Sequence, residues 1–177
     1  MIMHRSFLSC DRGAAAAEMA LIAPLALGLL FTAIETGHYF FSQQQLVKAV
    51  RDGARYGARQ TFDDVNCRSG AGAISTQVQN EIRAIALTGA LSGASERRSG
   101  WDSNEISFTV TVTCPTGATT HTGNSKIETS GIYTSDEPAP VINIVASIGY
   151  DSLFNGLGII SDSANLNARQ QASVMGI

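Results

Sequence analysis

An apolar run over residues 14–34 constrains this sequence most, because its 21 residues carry a single charge, Glu18. A helix of that length measures about 31 Å, which matches the hydrocarbon core of a bilayer. A cleaved secretory signal is disfavoured, because its apolar core has only about 7–15 residues and the small residues near Ala33 make a poor cleavage site. The sequence therefore predicts a single transmembrane helix, to which we assign residues 14–36.

The helical pattern continues past the membrane exit, and we assign residues 37–60 to an extension of the same helix. Leu46 and Val50 share one face of this extension. Gly53 and Gly57 leave part of its surface without side-chain bulk, which lets another backbone approach and predicts close packing. We expect the helix to pack on its own domain through the Leu46 and Val50 side, and also on neighbouring copies.

Two further features concern the shape and charge of the helix. Pro24 lacks the N–H that would bond to the carbonyl of Ala20, so it predicts a kink inside the membrane. Beyond the membrane, a spacing of four residues puts Arg51, Arg55 and Arg59 in one stripe on the helix surface.

The charges do not decide which way the helix crosses the membrane. Arg5 and Arg12 precede the apolar run, but the flank that follows it, up to residue 60, carries four basic residues. The first of these, Lys48, lies about 20 Å along the helix beyond Ile34. On the helix surface Lys48 can pair with Asp52, four residues on.

The three cysteines favour an N-terminus in the cytoplasm. Cys10 precedes the apolar run, whereas Cys67 and Cys114 follow it. If the membrane separates them, Cys10 faces the reducing cytosol and the other two form an even pair in an oxidising compartment, where disulfides persist. We therefore predict a disulfide between Cys67 and Cys114; the alternative is two unrelated buried thiols.

Residues 61–177 predict a small domain outside the membrane. An amphipathic pattern predicts a short helix over 71–91, ended by Gly89 and Gly93. Alternating apolar and polar residues predict three strands, over 106–114, 141–150 and 164–175. The stretch 115–140, rich in Thr, Gly and Ser, predicts a long exposed loop. This order favours an α+β fold with an antiparallel sheet of about three strands laid on the long helix.

Nothing in the sequence indicates catalysis or a cofactor. The formal net charge of -3 disfavours nucleic acid as a partner, because nucleic-acid-binding proteins present basic faces. His4, His38 and His121 fall in unrelated parts of the chain, and the strings typical of zinc, phosphate or hydrolase sites do not occur. Asp136 and Glu137 suit a solvated turn better than a Ca²⁺ site. We predict a protein that is not an enzyme and that binds no metal or cofactor.

The block from Arg12 to Gln60 resembles the N-terminal region of TadE-like pseudopilins of bacterial tight-adherence (Tad, or Flp-type) pilus systems. It shares Arg12 and Gly13, four small residues, the acid Glu18, and the strings MALIAPLALGLLF, IETG and AVRDGARYGAR. The resemblance implies a structural minor pilin or pseudopilin that is incorporated into a Tad pilus, or primes it, as part of a homo- or hetero-oligomer. The implied partners are a prepilin peptidase, other pilins or pseudopilins, the Tad assembly machinery and the lipid bilayer.

The resemblance also implies a processing site. A prepilin peptidase would cleave after Gly13, remove residues 1–13 as a cytoplasmic leader and leave Ala14 as the new N-terminus. The mature protein would cross the inner membrane once, with its N-terminus in the cytoplasm. Its domain, residues 61–177, would lie in the periplasm, or outside the cell once the pilus has assembled.

Glu18 would become the fifth residue of the mature chain. The amine that cleavage creates at Ala14 can pair with Glu18 of an adjacent, axially shifted subunit, and two paired charges cost less to bury than either alone. Glu18 would then fix the register between subunits, as one buried polar residue does in a coiled coil. The alternative for Glu18 is a hydrated or protonated side chain near the interface. The alternative for the whole chain is a single-pass anchored envelope adaptor or ligand-binding module that never polymerises.

Overall fold

The computed structural model describes residues 11–68, 71–92, 94–98, 101, 105–114, 119–122, 125–128, 139–154 and 164–176. The chain divides into two compact units: Met1–Phe40 with Asp151–Asp162, and Phe41–Tyr150 with Ser163–Ile177. One long apolar helix, one short helix and antiparallel sheets of two and three strands confirm the α+β class that the sequence predicts.

The first helix, α1, spans Asp11–Gly57, so the apolar run and most of its predicted extension form one element. It ends at Gly57, three residues before the predicted boundary at Gln60, because the next residues form tighter turns, with hydrogen bonds between residues three apart. The N–H groups of Arg59 and Gln60 donate to carbonyls three residues back, those of Tyr56 and Gly57, at 3.1 and 3.2 Å. Such bonds are typical of helix C-termini, where the last carbonyls otherwise lack partners.

The second helix, α2, spans Thr76–Thr88 and starts later than the predicted residue 71. The residues before it pair instead as strands: β1 (Val65–Asn66) is antiparallel to β2 (Ala73–Ile74). Ser75 then caps α2, because its backbone is extended and its hydroxyl accepts a hydrogen bond from the N–H of Val78 at 3.3 Å.

The C-terminus of α2 lies at Gly89, one of the two glycines predicted to end it. Gly89 adopts a φ of 85°, which glycine tolerates without steric cost, and its N–H donates to the carbonyl of Ile85 at 3.0 Å. The other predicted glycine, Gly93, lies outside the described residues.

Among the described residues after α2, the strands are β3 (Ser107–Thr113), β4 (Thr119–Thr122), β5 (Ser125–Glu128), β6 (Val141–Gly149) and β7 (Asn165–Ser173). β3, β6 and β7 form the main antiparallel sheet, with β6 in the centre. These are the three strands that the alternating pattern predicts, with slightly shorter ends. A sheet of this kind can bury one face and leave the other in solvent.

The long loop predicted over 115–140 is wrong in part, because it contains an antiparallel hairpin of β4 and β5. Gly123 and Asn124 separate the two strands in the sequence, and such a pair is typical of two-residue hairpin turns. Ile127 is the one apolar residue among the eight in these two strands, so the alternation of apolar and polar residues that reveals a strand is weak. The stretches 115–118 and 129–138 lie outside the described residues.

The core of the second unit is formed by α1, α2 and the main sheet. Side chains exposed by 2% or less include Leu46, Val50 and Ala54 of α1, Ile82 and Ala86 of α2, Ile142, Ile144 and Ala146 of β6, and Leu166 of β7. The Leu46 and Val50 side of α1 is thus a buried one. The alternation along β6 matches its burial except at Asn143, which is also buried.

The last strand closes the second unit against α1. The side-chain amide of Gln43 donates to the carbonyl of Asn167, 124 residues later in the chain, at 2.7 Å. Just after β7, the N–H of Met175 donates to the carbonyl of Ala58 at 2.8 Å. The beginning and the end of the second unit are therefore joined directly by hydrogen bonds.

The predicted disulfide is confirmed. Cys67 and Cys114 are bonded, with Cα atoms 5.8 Å apart and 47 positions between them in the sequence. Cys67 follows β1 and Cys114 follows β3, so the bond joins the small β1-β2 sheet to an edge strand of the main sheet.

Close to this disulfide, Gly72 packs against the backbone of β3. A Cβ atom at Gly72 would lie 2.3 Å from the carbonyl oxygen of Val112. Since backbone atoms cannot move aside as a flexible side chain can, we expect Gly72→Ala to lower the free energy of unfolding by about 1–3 kcal/mol, as overpacking typically does. The matched control is Gly149→Ala, because a Cβ there meets no atom within 4 Å. Urea titration measures both, and an unchanged midpoint for Gly72→Ala would contradict the close approach.

A hydrogen bond of 2.6 Å joins α1 to α2, with the phenol of Tyr56 donating to Oε2 of Glu81. Burial, followed by this bond, raises the pKa of Tyr56 above its ordinary value. The bonds that Glu81 accepts, first from Tyr56 and then from Gln77, lower the pKa of Glu81. The two shifts have opposite signs, so they affect stability at opposite ends of the pH scale.

We expect Tyr56→Phe to flatten the pH dependence of stability at both ends. The lowered pKa of Glu81 stabilises the fold above the unfolded value of 4.5, and this is lost as pH falls through the folded pKa. The raised pKa of Tyr56 stabilises it below 10.0, and this is lost as pH rises through the folded pKa. Unfolding midpoints across this range measure the effect, and Gln77→Ala should change the acid limb only. An unaltered profile for Tyr56→Phe would contradict the assignment.

Candidate functional site

The N-terminal half of α1 exposes its large apolar side chains. Leu21 is 79% exposed and Leu25 69%, and the others that are exposed are Met19, Ile22, Leu27, Leu29, Leu30 and Ile34. Water-soluble proteins rarely expose contiguous apolar patches larger than a few hundred Å². Within the described ranges, α1 is also the single helix long and apolar enough to cross a membrane. This segment therefore fits a single-pass membrane anchor.

Two hydroxyl groups in this part of the helix bond to the helix itself. Thr32 Oγ1 donates to the carbonyl of Gly28 at 2.8 Å, and Thr36 Oγ1 donates to the carbonyl of Thr32 at 2.7 Å. Such bonds satisfy a polar group where lipid offers no partner. Sequence analysis did not single out these threonines, although a Thr inside an apolar helix is itself a signal for this bond. Pro24 lies within α1 as well, and the kink there stays a prediction.

The predicted processing and assembly residues lie together near the start of α1. Gly13, Ala14 and Glu18 are all helical and exposed. Ala14 and Glu18 are four residues apart, so they share one face, with Cβ atoms about 5–6 Å apart. Glu18 has no hydrogen-bond or ion-pair partner among the residues that the structure describes. A carboxylate on an apolar helix surface is costly without a partner, which makes Glu18 a functional candidate.

Gly13 is free of packing constraints in the described structure. A Cβ atom built there would meet no atom within 4 Å. Packing therefore does not explain a glycine at this position, and a substitution at Gly13 can be read as a test of function.

Gly53 and Gly57 lie on a face of α1 that the same chain covers. A Cβ at Gly53 would lie 3.2 Å from the backbone oxygen of Ile82, and one at Gly57 would lie 2.8 Å from Cδ1 of Ile142. The missing side chains thus bring α1 close to α2 and β6. Contacts of α1 with neighbouring copies at other faces stay a prediction.

Another face of the outer half of α1 is basic. Arg51 and Arg55 of α1 are exposed, and so is Arg59, which lies just beyond the end of the helix at Gly57. Sequence analysis paired Asp52 with Lys48. In the structure Asp52 instead forms an ion pair with Arg97, whose Nη1 lies 2.8 Å from Oδ2 of Asp52. Sequence analysis missed Arg97 because it lies far along the chain, in the segment after α2.

The described residues contain no group of three or more His, Cys, Asp or Glu side chains that could hold a metal ion. The features that remain to be explained are therefore the exposed apolar surface of α1 and the carboxylate of Glu18 within it.

Comparison with known families bears on this same helix. A family model described as TadE-like protein matches residues 13–55. The chain carries a TadE-like segment. This segment begins at Gly13, contains Ala14, Glu18 and Pro24, and ends within the last turn of α1, and it confirms the resemblance predicted from the sequence. No match is found among curated proteins or among solved structures.

Proposed function

We propose that this chain is a structural, non-enzymatic minor pilin or pseudopilin of a Tad pilus. The observation that carries the proposal is the coincidence of the TadE-like segment, residues 13–55, with the helix whose apolar half is exposed. TadE-like proteins are pilin-like and associated with Tad pili, and their role is structural. A helix with such a surface can rest in lipid and later pack against the helices of other pilin subunits.

The disulfide supports the orientation of the chain. A bond such as Cys67–Cys114 persists in an oxidising compartment, which favours the periplasm for the domain of residues 61–177. Residues 14–36 then span the inner membrane, residues 37–60 lead out of it, and the N-terminus lies in the cytoplasm. The membrane, other pilins and the Tad assembly machinery are the partners of this arrangement.

Processing precedes assembly in this proposal. A prepilin peptidase cleaves after Gly13 and removes residues 1–13, which creates an α-amino group at Ala14. That amine pairs with Glu18 of a neighbouring subunit and fixes the axial register between the two helices.

The processing step gives a direct test of the proposal. We expect Gly13→Leu to leave a full-length, membrane-bound chain that is not incorporated into pili, because a bulky side chain hinders an extended backbone from entering a protease cleft. Intact-mass measurement of the membrane fraction from peptidase-positive cells checks this, since the unmutated chain should lack residues 1–13.

The control for this variant is Gly28→Leu, because a Cβ at Gly28 also meets no atom within 4 Å. It adds the same side chain to the same helix and should be cleaved normally. Normal cleavage of Gly13→Leu would place the site elsewhere. An intact N-terminus in the unmutated chain would instead favour the anchored adaptor or ligand-binding module that never polymerises.

A further inference from the structure

The loop after β6 begins with two apolar side chains, Leu153 and Phe154. The ends of the loop are tied together, because the N–H of Tyr150 donates to the carbonyl of Ala164 at 2.9 Å. Leu153 is 54% exposed. A single exposed leucine is common on protein surfaces, but this one adjoins Phe154 in the sequence, so the loop starts with two consecutive apolar side chains.

Phe154 contacts the apolar half of α1. The ring centroids of Phe31 and Phe154 are 5.1 Å apart with an interplanar angle of 56°, which is a favourable aromatic arrangement. Both residues belong to the first unit, which joins the start of this loop to α1. The contact therefore places the start of the loop at the level of Phe31 on the helix.

Phe31 lies in the last turn of the apolar run. The 17 residue steps from Ala14 to Phe31 correspond to about 26 Å of helix, whereas the hydrocarbon core is about 30 Å thick. If residues 14–36 span the membrane, Phe31 lies within the hydrocarbon, close to the boundary with the headgroups on the side of the domain. A side chain packed beside Phe31 lies at the same depth.

We infer that Leu153 and Phe154 insert into the periplasmic leaflet of the membrane that α1 spans, so that the subunit contacts the bilayer at a second place before assembly. Lipid hydrocarbon is the partner that fits, because the neighbouring surface of α1 is itself apolar and exposed. Attraction to anionic headgroups is a poor alternative, since no Lys or Arg occurs between Asp151 and Ala164 in the sequence. The inference rests on the membrane anchor of the proposed function.

The contact has a consequence for the free subunit. Two apolar side chains buried in the leaflet add to the apolar area that the lipid covers, which stabilises the subunit in the membrane. Leaving the membrane for the pilus then requires withdrawal of the loop together with α1.

The test uses the full chain carrying Cys10→Ser, in which the remaining cysteines, Cys67 and Cys114, are joined by the disulfide. Leu153→Cys is labelled with an environment-sensitive fluorophore, and the protein is reconstituted at one copy per phosphatidylethanolamine–phosphatidylglycerol nanodisc. We expect a blue-shifted emission and a loss of intensity when lipids brominated along their acyl chains are used. Leu91→Cys, at a leucine of the second unit with 52% exposure, is the matched control and should show neither effect.

A third label, at Leu25→Cys, separates failure of this inference from failure of the proposed anchor. Quenching at position 25 without quenching at position 153 would overturn the loop contact and leave the anchor intact. Absence of quenching at position 25 would overturn the anchor itself, and the inference with it. A blue shift at position 153 that appears only when several copies share a nanodisc would also overturn the inference, since the partner would then be another subunit.

Discussion

Glu18→Ala is expected to abolish incorporation of the chain into pili while leaving membrane insertion and cleavage after Gly13 intact. Insertion should improve slightly, because a charge is removed from the membrane segment. Assembly should fail, because the amine at Ala14 of a neighbour would be left in apolar surroundings without a counter-charge. Removing one partner of a buried pair costs about 3–5 kcal/mol, enough to shift an assembly equilibrium by more than a hundredfold.

Shearing of pili, followed by immunodetection of this chain in the pilus and membrane fractions, measures the effect. Glu18→Asp should give an intermediate result, because its carboxylate is one methylene short of the same reach. Glu96→Ala is the matched control, since Glu96 is an exposed carboxylate that belongs to the second unit and not to the apolar half of α1. Recovery of Glu18→Ala in sheared pili at the unmutated level would refute the register mechanism, whatever happens to its processing.

Loss of the Cys67–Cys114 disulfide is expected to lower the free energy of unfolding by about 4 kcal/mol, from the entropy of closing a loop of this length. The bond spans 47 positions and joins the β1-β2 sheet to the end of β3. Many domains are stable by only about 5–15 kcal/mol, so its loss should leave much of the protein unfolded or degraded at growth temperature.

The double variant Cys67→Ser, Cys114→Ser provides the measurement, by urea titration of the purified chain and by its abundance in cells. Cys10→Ser is the control, because Cys10 takes no part in the disulfide. Treatment of the unmutated protein with a reductant should reproduce the effect of the double variant. A double variant with an unchanged unfolding midpoint would contradict the stabilising role of the bond.

The features predicted correctly from the sequence are those with a local signature. A run of 21 apolar residues specifies a helix of membrane length, and alternation along residues 141–150 specifies a half-buried strand without knowledge of its partners. The disulfide was also predictable, because only two cysteines follow the apolar run.

The features that sequence analysis missed depend on contacts between distant residues or on strands without an apolar face. Asp52 bonds to Arg97 rather than to a neighbour on its own helix, and no pattern in the sequence relates these two residues. Phe31 and Phe154 are likewise brought together only by the fold. The β4-β5 hairpin was missed because nearly all side chains of its two strands are polar, so the strands show no alternation of apolar and polar residues. The Gly123–Asn124 pair was nevertheless a usable signal for a hairpin turn.

The hydrogen bonds that join Gln43 to Asn167 and Ala58 to Met175 determine when this protein can fold. The chain is made from its N-terminus, so in the proposed orientation the outer half of α1 would emerge from the membrane long before β7 does. The side of that helix that carries Leu46 and Val50 is buried only in the complete fold. It would stay exposed until nearly the whole chain has been translocated and the last strand completes the sheet. Contacts between such distant parts of a chain form slowly and leave apolar surface open meanwhile. If the domain is exported as proposed, the chain is expected to need protection by a periplasmic chaperone during translocation, and removal of residues 165–176 should leave it permanently in that state.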